Sequence, residues 1–168
     1  IAIVPLTALG ILSWRRTQVK HSMTAAAGLA GKRLPSFELC SPAHGGCAPV
    51  ESYTAGHPAV LIFTRPGCPF CDAQIRELRE IAPDGVRLLP VVVATRDVAR
   101  HVAEQYRPLM SLWDGQDAFR TTLVGTAVPL TIVVDHDGMV RHASIGQQSR
   151  AVLGNALRTA LAGVMSDR

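Results

Sequence analysis

Several features that mark whole classes of protein are missing from this chain. It has no stripe of Lys and Arg with interleaved aromatics. Its basic residues are scattered, apart from Arg15-Arg16 and Lys32-Arg33, and the net charge is only +4. That argues against nucleic-acid binding. No internal repeat or low-complexity array is present, which leaves repeat architectures without support. No apolar run reaches the about 20 residues that a bilayer crossing needs; the uncharged opening, "IAIVPLTALGILSW" (1–14), stops short. No small-residue cleavage pattern follows that opening at once, as a signal peptide would require. The initiator is missing too. Residue 1 is isoleucine, so the chain reads as truncated or processed.

Residues 1–16 are therefore read as the end of a membrane anchor whose beginning is not in hand. Trp14 would stand at the interface and Arg15-Arg16 among the head groups. A docked or buried helix of a soluble protein is the alternative. Arg15, Arg16 and Lys20 follow the apolar run. The positive-inside rule would put them in the cytoplasm, whereas charge ahead of residue 1 would reverse that, so both orientations stay open. Residues 17–33, "TQVKHSMTAAAGLAGKR", are small and polar with two glycines and read as a tether.

What is present is a globular composition. The 168 residues are 48% apolar and 18% charged, enough for one domain with its own core. The folded unit is expected over 34–168. "PSFEL" reads as a first strand and "APVES" as its hairpin partner. Three continuous apolar runs have strand length and suit strands buried on both faces: "AVLIFT" (59–64), "RLLPVVVA" (87–94) and "LTIVVD" (130–135). "HDG" (136–138) is a turn and "MVRHASI" (139–145) its return.

Helical spacing appears in four places. Phe70, Gln74, Leu78 and Ala82, with Ile75 and Ile81, mark a helix from Pro69 to about Ala82, stopped by Pro83-Asp84-Gly85. Val98, Val102 and Tyr106 mark a second, over 97–106. Residues 116–123 are a short third. Val152, Leu153, Ala156, Leu157, Ala160, Leu161 and Val164 form the stripe of the last. Strands alternating with helices predict an α/β fold with parallel pairing, closed by an antiparallel hairpin.

Chemistry concentrates in "FTRPGCPFCD" (63–72), which sets Cys68 and Cys71 three positions apart. A zinc site needs two such pairs or added histidines at ligand spacing. The other pair, Cys40 and Cys47, brackets "SPAHGG" and lacks that spacing. A purely structural Cys68–Cys71 staple would close too small a loop to remove much unfolded-state entropy. Redox chemistry explains more. Cys68 falls where a buried strand meets a helix start, and free backbone N–H groups there stabilise a thiolate. Pro69 suits the first helical turn. Cys71 lies one turn on, able to resolve a mixed disulfide.

With these pieces in view, the chain resembles a thioredoxin-fold thiol–disulfide oxidoreductase of the TlpA type. Within that group it is similar to the MauD-type methylamine-utilisation proteins. The matching segments are "GKRLPSFEL", "AVLIFTRPGCPFC", "GTAVPLTIVVDHDGMV" and "GQQSRAVLGNALRTAL", covering about residues 31–165. The resemblance implies a thioredoxin-like mixed sheet flanked by helices, with an extra N-terminal β-hairpin. Cys68 and Cys71 would be the redox-active cysteine pair, with no other cofactor and no metal. Val128-Pro129 stands at the family's cis-proline position and would help to hold substrate chain. Arg65, Pro69 and Phe70 complete the site loop; Arg65 would either stabilise the thiolate or be a solvated loop arginine. A cysteine-containing protein substrate, a membrane redox partner and a domain in the periplasm, or otherwise outside the cytoplasm, are also implied.

Two departures stand out. Gly67 replaces the aromatic that thioredoxin carries before its first cysteine, and Ile62 replaces its buried aspartate, the proton acceptor for the second cysteine. Resolution by Cys71 is then expected to be slower, or to use a water or substrate group instead. A peroxiredoxin is the rival enzyme class. Its Pro-x-x-x-Thr-x-x-Cys pattern fails here, since Thr64 precedes Cys68 by four positions and Pro58 is too far back. A non-catalytic binding module of the same fold is a third reading, which the intact cysteine pair opposes.

For Cys40 and Cys47 a structural bridge is expected. It would stabilise by about 2–3 kcal/mol for so short a loop and favour an oxidising compartment. A second redox pair, or a metal on Cys40, His44 and Cys47, is the alternative. His21, His57, His101, His136 and His142 are scattered and read as surface or packing residues.

Overall fold

The computed structural model describes residues 26–165 apart from 124 and 126, without the side chains of 163–165. The expected anchor, 1–16, lies outside the described residues, as does most of the tether. Among the described residues no helix is long and apolar enough to cross a membrane.

Seven strands form one mixed sheet in the order β2-β1-β5-β4-β3-β6-β7. They are β1 Glu38–Cys40, β2 Cys47–Pro49, β3 Ala59–Thr64, β4 Arg87–Val92, β5 Leu112–Trp113, β6 Leu130–Val134 and β7 Val140–Ile145. The helices are α1 Glu51–Thr54, α2 Pro69–Ile81, α3 Arg96–Gln105, α4 Ala118–Thr121 and α5 Arg150–Met165. β3, β4 and β5 are parallel, while β6 and β7 run antiparallel on one side and the β1–β2 hairpin on the other.

The period-2 alternation of β3 divides the core. Ala59, Leu61 and Phe63 face one cluster with Phe37, Leu39, Phe119 and Ile132. Val60 and Ile62 face the other, which α2, α3 and α5 cover with Ile75, Leu78, Ala99, Val102, Leu153 and Leu157. β3, flanked by β4 and β6 inside the sheet, is buried at every position, as its unbroken apolar run requires. Pro90 sits in β4 without breaking it. Arg87 and Val93 donate their N–H groups toward the β3 side, to Pro58 and Thr64 carbonyls. Even-numbered residues therefore point toward β5, whose pairing begins only opposite Val91. The donor that proline lacks has no partner waiting for it.

The expected elements shift in several places. "PSFEL" and "APVES" pair closer to the cysteines than expected, so that Cys40 and Cys47 close the ladder as cross-strand partners. Glu51 and Ser52 belong to α1, because the chain turns at fully buried Val50 (φ −55°, ψ −30°). Phe70 is 62% exposed; it lies in the first turn of α2, and Cys71, Gln74, Ile75 and Leu78 form the buried face. Val98 and Val152 are also exposed, while Ala99 is buried beside Val98 and Leu153 is buried as its stripe predicts. β5 has only two residues and shows no periodicity to read. The last part of the expected tether is docked: Gly31 N–H bonds Val140 O, and Val140 N–H bonds Lys32 O. This backbone pairing extends the β7 edge.

Candidate active site

The C-terminal ends of β3, β4 and β5 share one edge of the sheet. Thr64, Val92, Trp113, Cys40 and Cys47 are successive cross-strand partners in a single row. The loop after Thr64 passes through exposed Arg65, Pro66 and Gly67 to Cys68. Gly67 takes φ +68°, a conformation that L side chains rarely adopt; this is a local reason for glycine where thioredoxin has an aromatic.

Cys68 is the N-cap of α2, with extended backbone (φ −98°, ψ 96°), and Pro69 opens the helix. The Cys68 sulfur accepts the Cys71 backbone N–H at 3.2 Å, and the Cys68 carbonyl accepts from Cys71 and Asp72 at 3.1 and 3.2 Å. A sulfur at an N-cap sits among donors that no helical carbonyl can satisfy, and the helix dipole adds positive potential. Both terms favour a thiolate on Cys68 in the reduced state. Here Cys68 and Cys71 are joined as a disulfide. Cys71 is fully buried while Cys68 is partly exposed.

The Val128–Pro129 peptide bond is cis, as is Arg107–Pro108. Pro129 directly precedes β6, whose Leu130 pairs with Phe63, so it adjoins the end of β3 from which the cysteine loop departs. Arg65 is exposed, and its guanidinium carbon lies 5.5 Å above the ring of buried Phe119, a cation–π distance. It is thus an exposed loop arginine whose head group rests over an aromatic face. Phe119 also backs the loop before Pro129, since a Cβ on Gly125 would meet its ring at 2.5 Å. Asp114 holds α4 in place by accepting the Ala118 and Phe119 N–H groups at 2.8 and 2.9 Å. Burial raises the pKa of Asp114, and those two bonds partly offset the rise.

Sequence reasoning did not single out the polar groups around α2. Tyr106 donates its hydroxyl to Asp72 Oδ1 at 2.7 Å and lies 3.4 Å from Thr64 Oγ1. Gln74, fully buried, accepts the Gln148 N–H at 2.6 Å. One signal existed: Gln74 is a lone amide in an otherwise apolar helical stripe.

Cys40 and Cys47 are disulfide-bonded, so neither sulfur is available with His44 as a thiolate ligand. Cys40 is buried and Cys47 exposed. The bond lies in the same transverse row as Thr64, three strands away, which is about 14 Å at normal strand spacing.

Comparison with known proteins fits this geometry. The Redoxin family profile matches residues 29–157. A thiol:disulfide interchange protein DsbE of Vibrio cholerae is 30% identical over 123 residues, covering 70% of this chain and 66% of that protein. The Escherichia coli protein of the same name is 25% identical over 153 residues, covering 86% and 82%. Among solved structures, the exposed lipoprotein thioredoxin Etrx1 of Streptococcus pneumoniae superposes with TM-score 0.60 at 20% identity, over 74% of this chain and 99% of that one. A secreted Mycobacterium tuberculosis disulfide oxidoreductase, described as homologous to E. coli DsbE, gives 0.56 at 21%, over 73% and 95%. The structural likenesses bear on the fold, which is thioredoxin-like. The sequence relatives support an oxidoreductase of the thiol–disulfide class.

Proposed function

Because the chain belongs to the Redoxin family, we propose that its Cys68–Cys71 pair exchanges disulfides with cysteine-containing protein substrates. The observation that carries this reading is the asymmetry of the pair. Cys68 is partly exposed with its sulfur accepting the Cys71 backbone N–H, and Cys71 is fully buried.

In the dithiol form the Cys68 thiolate attacks one sulfur of a substrate disulfide. A mixed disulfide forms and the other substrate sulfur leaves as a thiolate. Cys71 then loses its proton and attacks the Cys68 sulfur. The Cys68–substrate bond breaks, Cys68–Cys71 closes, and two electrons have passed to the substrate. Run backwards from the disulfide form seen here, the same steps oxidise a substrate dithiol. Ile62 supplies no carboxylate to take the Cys71 proton, so resolution is expected to be slower or to pass that proton to a water or substrate group.

The finer reading is a TlpA-type protein with a MauD-like layout. It has a membrane anchor ahead of the domain, a membrane redox partner and a domain facing the periplasm. The Cys40–Cys47 bond supports an oxidising compartment. Val128 and Pro129 are proposed to hold substrate chain beside Cys68.

The test compares substrates. The reduced protein should reduce a protein disulfide far faster than it consumes hydrogen peroxide. Rapid peroxide turnover through a Cys68 sulfenic acid would instead make it a thiol peroxidase. The reduction potential of the pair then sets the direction: strongly negative for a reductant, near the strong oxidants for a disulfide donor.

A further inference from the structure

Among the residues that α2 buries, Gln74 carries an uncharged amide on the same face as Cys71, Ile75 and Leu78. It is 0% exposed. Burying an amide is costly unless it is hydrogen-bonded, and an aliphatic side chain would carry no such cost. Half of the amide is used. Oε1 accepts the Gln148 backbone N–H at 2.6 Å, while Nε2 is buried with no partner among the described residues. The amide's orientation follows from chemistry, since a backbone N–H can be received only by the oxygen.

The bond continues beyond Gln148. The Gln148 side chain donates Nε2 to the Gly146 carbonyl at 3.0 Å and lies 3.4 Å from that of Ile145. Gly146 N–H donates to the Pro129 carbonyl at 2.8 Å. Gln74, Gln148, Gly146 and Pro129 thus form a series of hydrogen bonds. It runs from the helix that carries both cysteines to the residue that opens β6. Pro129 and Gly146 continue the β6–β7 ladder just beyond Leu130 and Ile145, whereas Gln148 lies in the loop before α5, tied to that end of the ladder by its side chain.

We infer that Gln74 is a positioning residue, fastening the cysteine helix to the Pro129 loop so that a protein substrate lying across both meets Cys68 at attack geometry. The inference rests on the thiol–disulfide reading. A protein substrate needs both parts in register, whereas a small disulfide needs only Cys68. Displacement of about 1 Å between two parts of a site can cost as much as 10²-fold in rate.

Gln74→Met keeps the size and removes the acceptor; Gln74→Glu keeps an acceptor oxygen. With insulin as the protein disulfide, Gln74→Met should lose about tenfold in kcat/KM. It should keep more than half of its rate with oxidised glutathione, and the pH profile of Cys68 alkylation should not move. Gln74→Glu should recover most of the insulin rate at neutral pH. Gln148→Ala, at a partly exposed position, cuts the link to Gly146 and should show the same selective loss even if Gln74→Met fails to fold. Equal losses with both substrates, a shifted alkylation profile, or unchanged insulin turnover in a folded Gln74→Met variant would overturn the inference. Wild-type inactivity toward both disulfides would sink the thiol–disulfide reading itself, and this inference with it.

Discussion

Tyr106 donates its hydroxyl to Asp72, the residue after Cys71, at 2.7 Å, and so ties the end of α3 to the first turn of the cysteine helix. Burial pushes the phenol pKa up to about 12; Asp72 adds to the rise and the Thr64 hydroxyl opposes it. At neutral pH the phenol is therefore a donor and not a base.

Tyr106 should titrate late. Its folded pKa lies above the ordinary value, so the stability it contributes is full below pH 10 and is lost between 10 and about 12. Absorbance at alkaline pH should show one phenol ionising near 12, and Tyr106→Phe should remove that transition. A wild-type profile with no ionisation that late would refute the assignment.

Cys68 should be the nucleophile. Its sulfur caps α2 while Cys71 is buried. Cys71→Ser should accumulate a mixed disulfide with substrate through Cys68, visible by mass spectrometry, and Cys68→Ser should trap none. An adduct formed only through Cys71 reverses the roles.

The Cys40–Cys47 bond should be structural, although it shares a sheet edge with the redox pair. Cys40 lies three strands, about 14 Å, from Thr64, the residue at which the strand leading to the redox pair ends. Packing around Cys40 is close, since a Cβ on Gly115 would stand 3.0 Å from its sulfur. Replacing both cysteines with serine should cost about 2–3 kcal/mol and lower Tm by several degrees, with disulfide exchange nearly intact. Loss of exchange at unchanged Tm would mean that the second pair relays electrons.

Asp135 should make stability acid-sensitive. Burial would raise its pKa, but N–H groups of Met139 and Asp137 and the Arg141 guanidinium hold it below the ordinary carboxylate range. A depressed folded pKa means that its contribution is present above the ordinary value and is lost as pH falls through the folded one. Asp135→Asn should cost about 1–3 kcal/mol at neutral pH, and the deficit should narrow as pH falls below about 4. Denaturant titrations at several pH values check this; a deficit independent of pH would contradict it.

Local pattern made much of this protein legible. The runs at 59–64, 87–94 and 130–135 became β3, β4 and β6, because a strand buried on both faces must be apolar throughout. Cys68 at a strand–helix junction followed from a strand run meeting helical periodicity, with Pro69 at the joint. The closeness of Cys40 and Cys47 followed from a short, turn-rich loop.

Other features depended on residues far apart in sequence. β5 has two residues and exists because β1 and β4 flank it; nothing in "LW" encodes a strand. The packing of α2 on the sheet left Phe70 in solvent, although it shares the helical stripe of buried Gln74 and Leu78. Hydrogen bonds from Tyr106 to Asp72 and from Gln148 to Gln74 span 34 and 74 positions. Residue spacing carries the period of a helix or strand, whereas these pairings exist only once strand order has folded the chain back on itself.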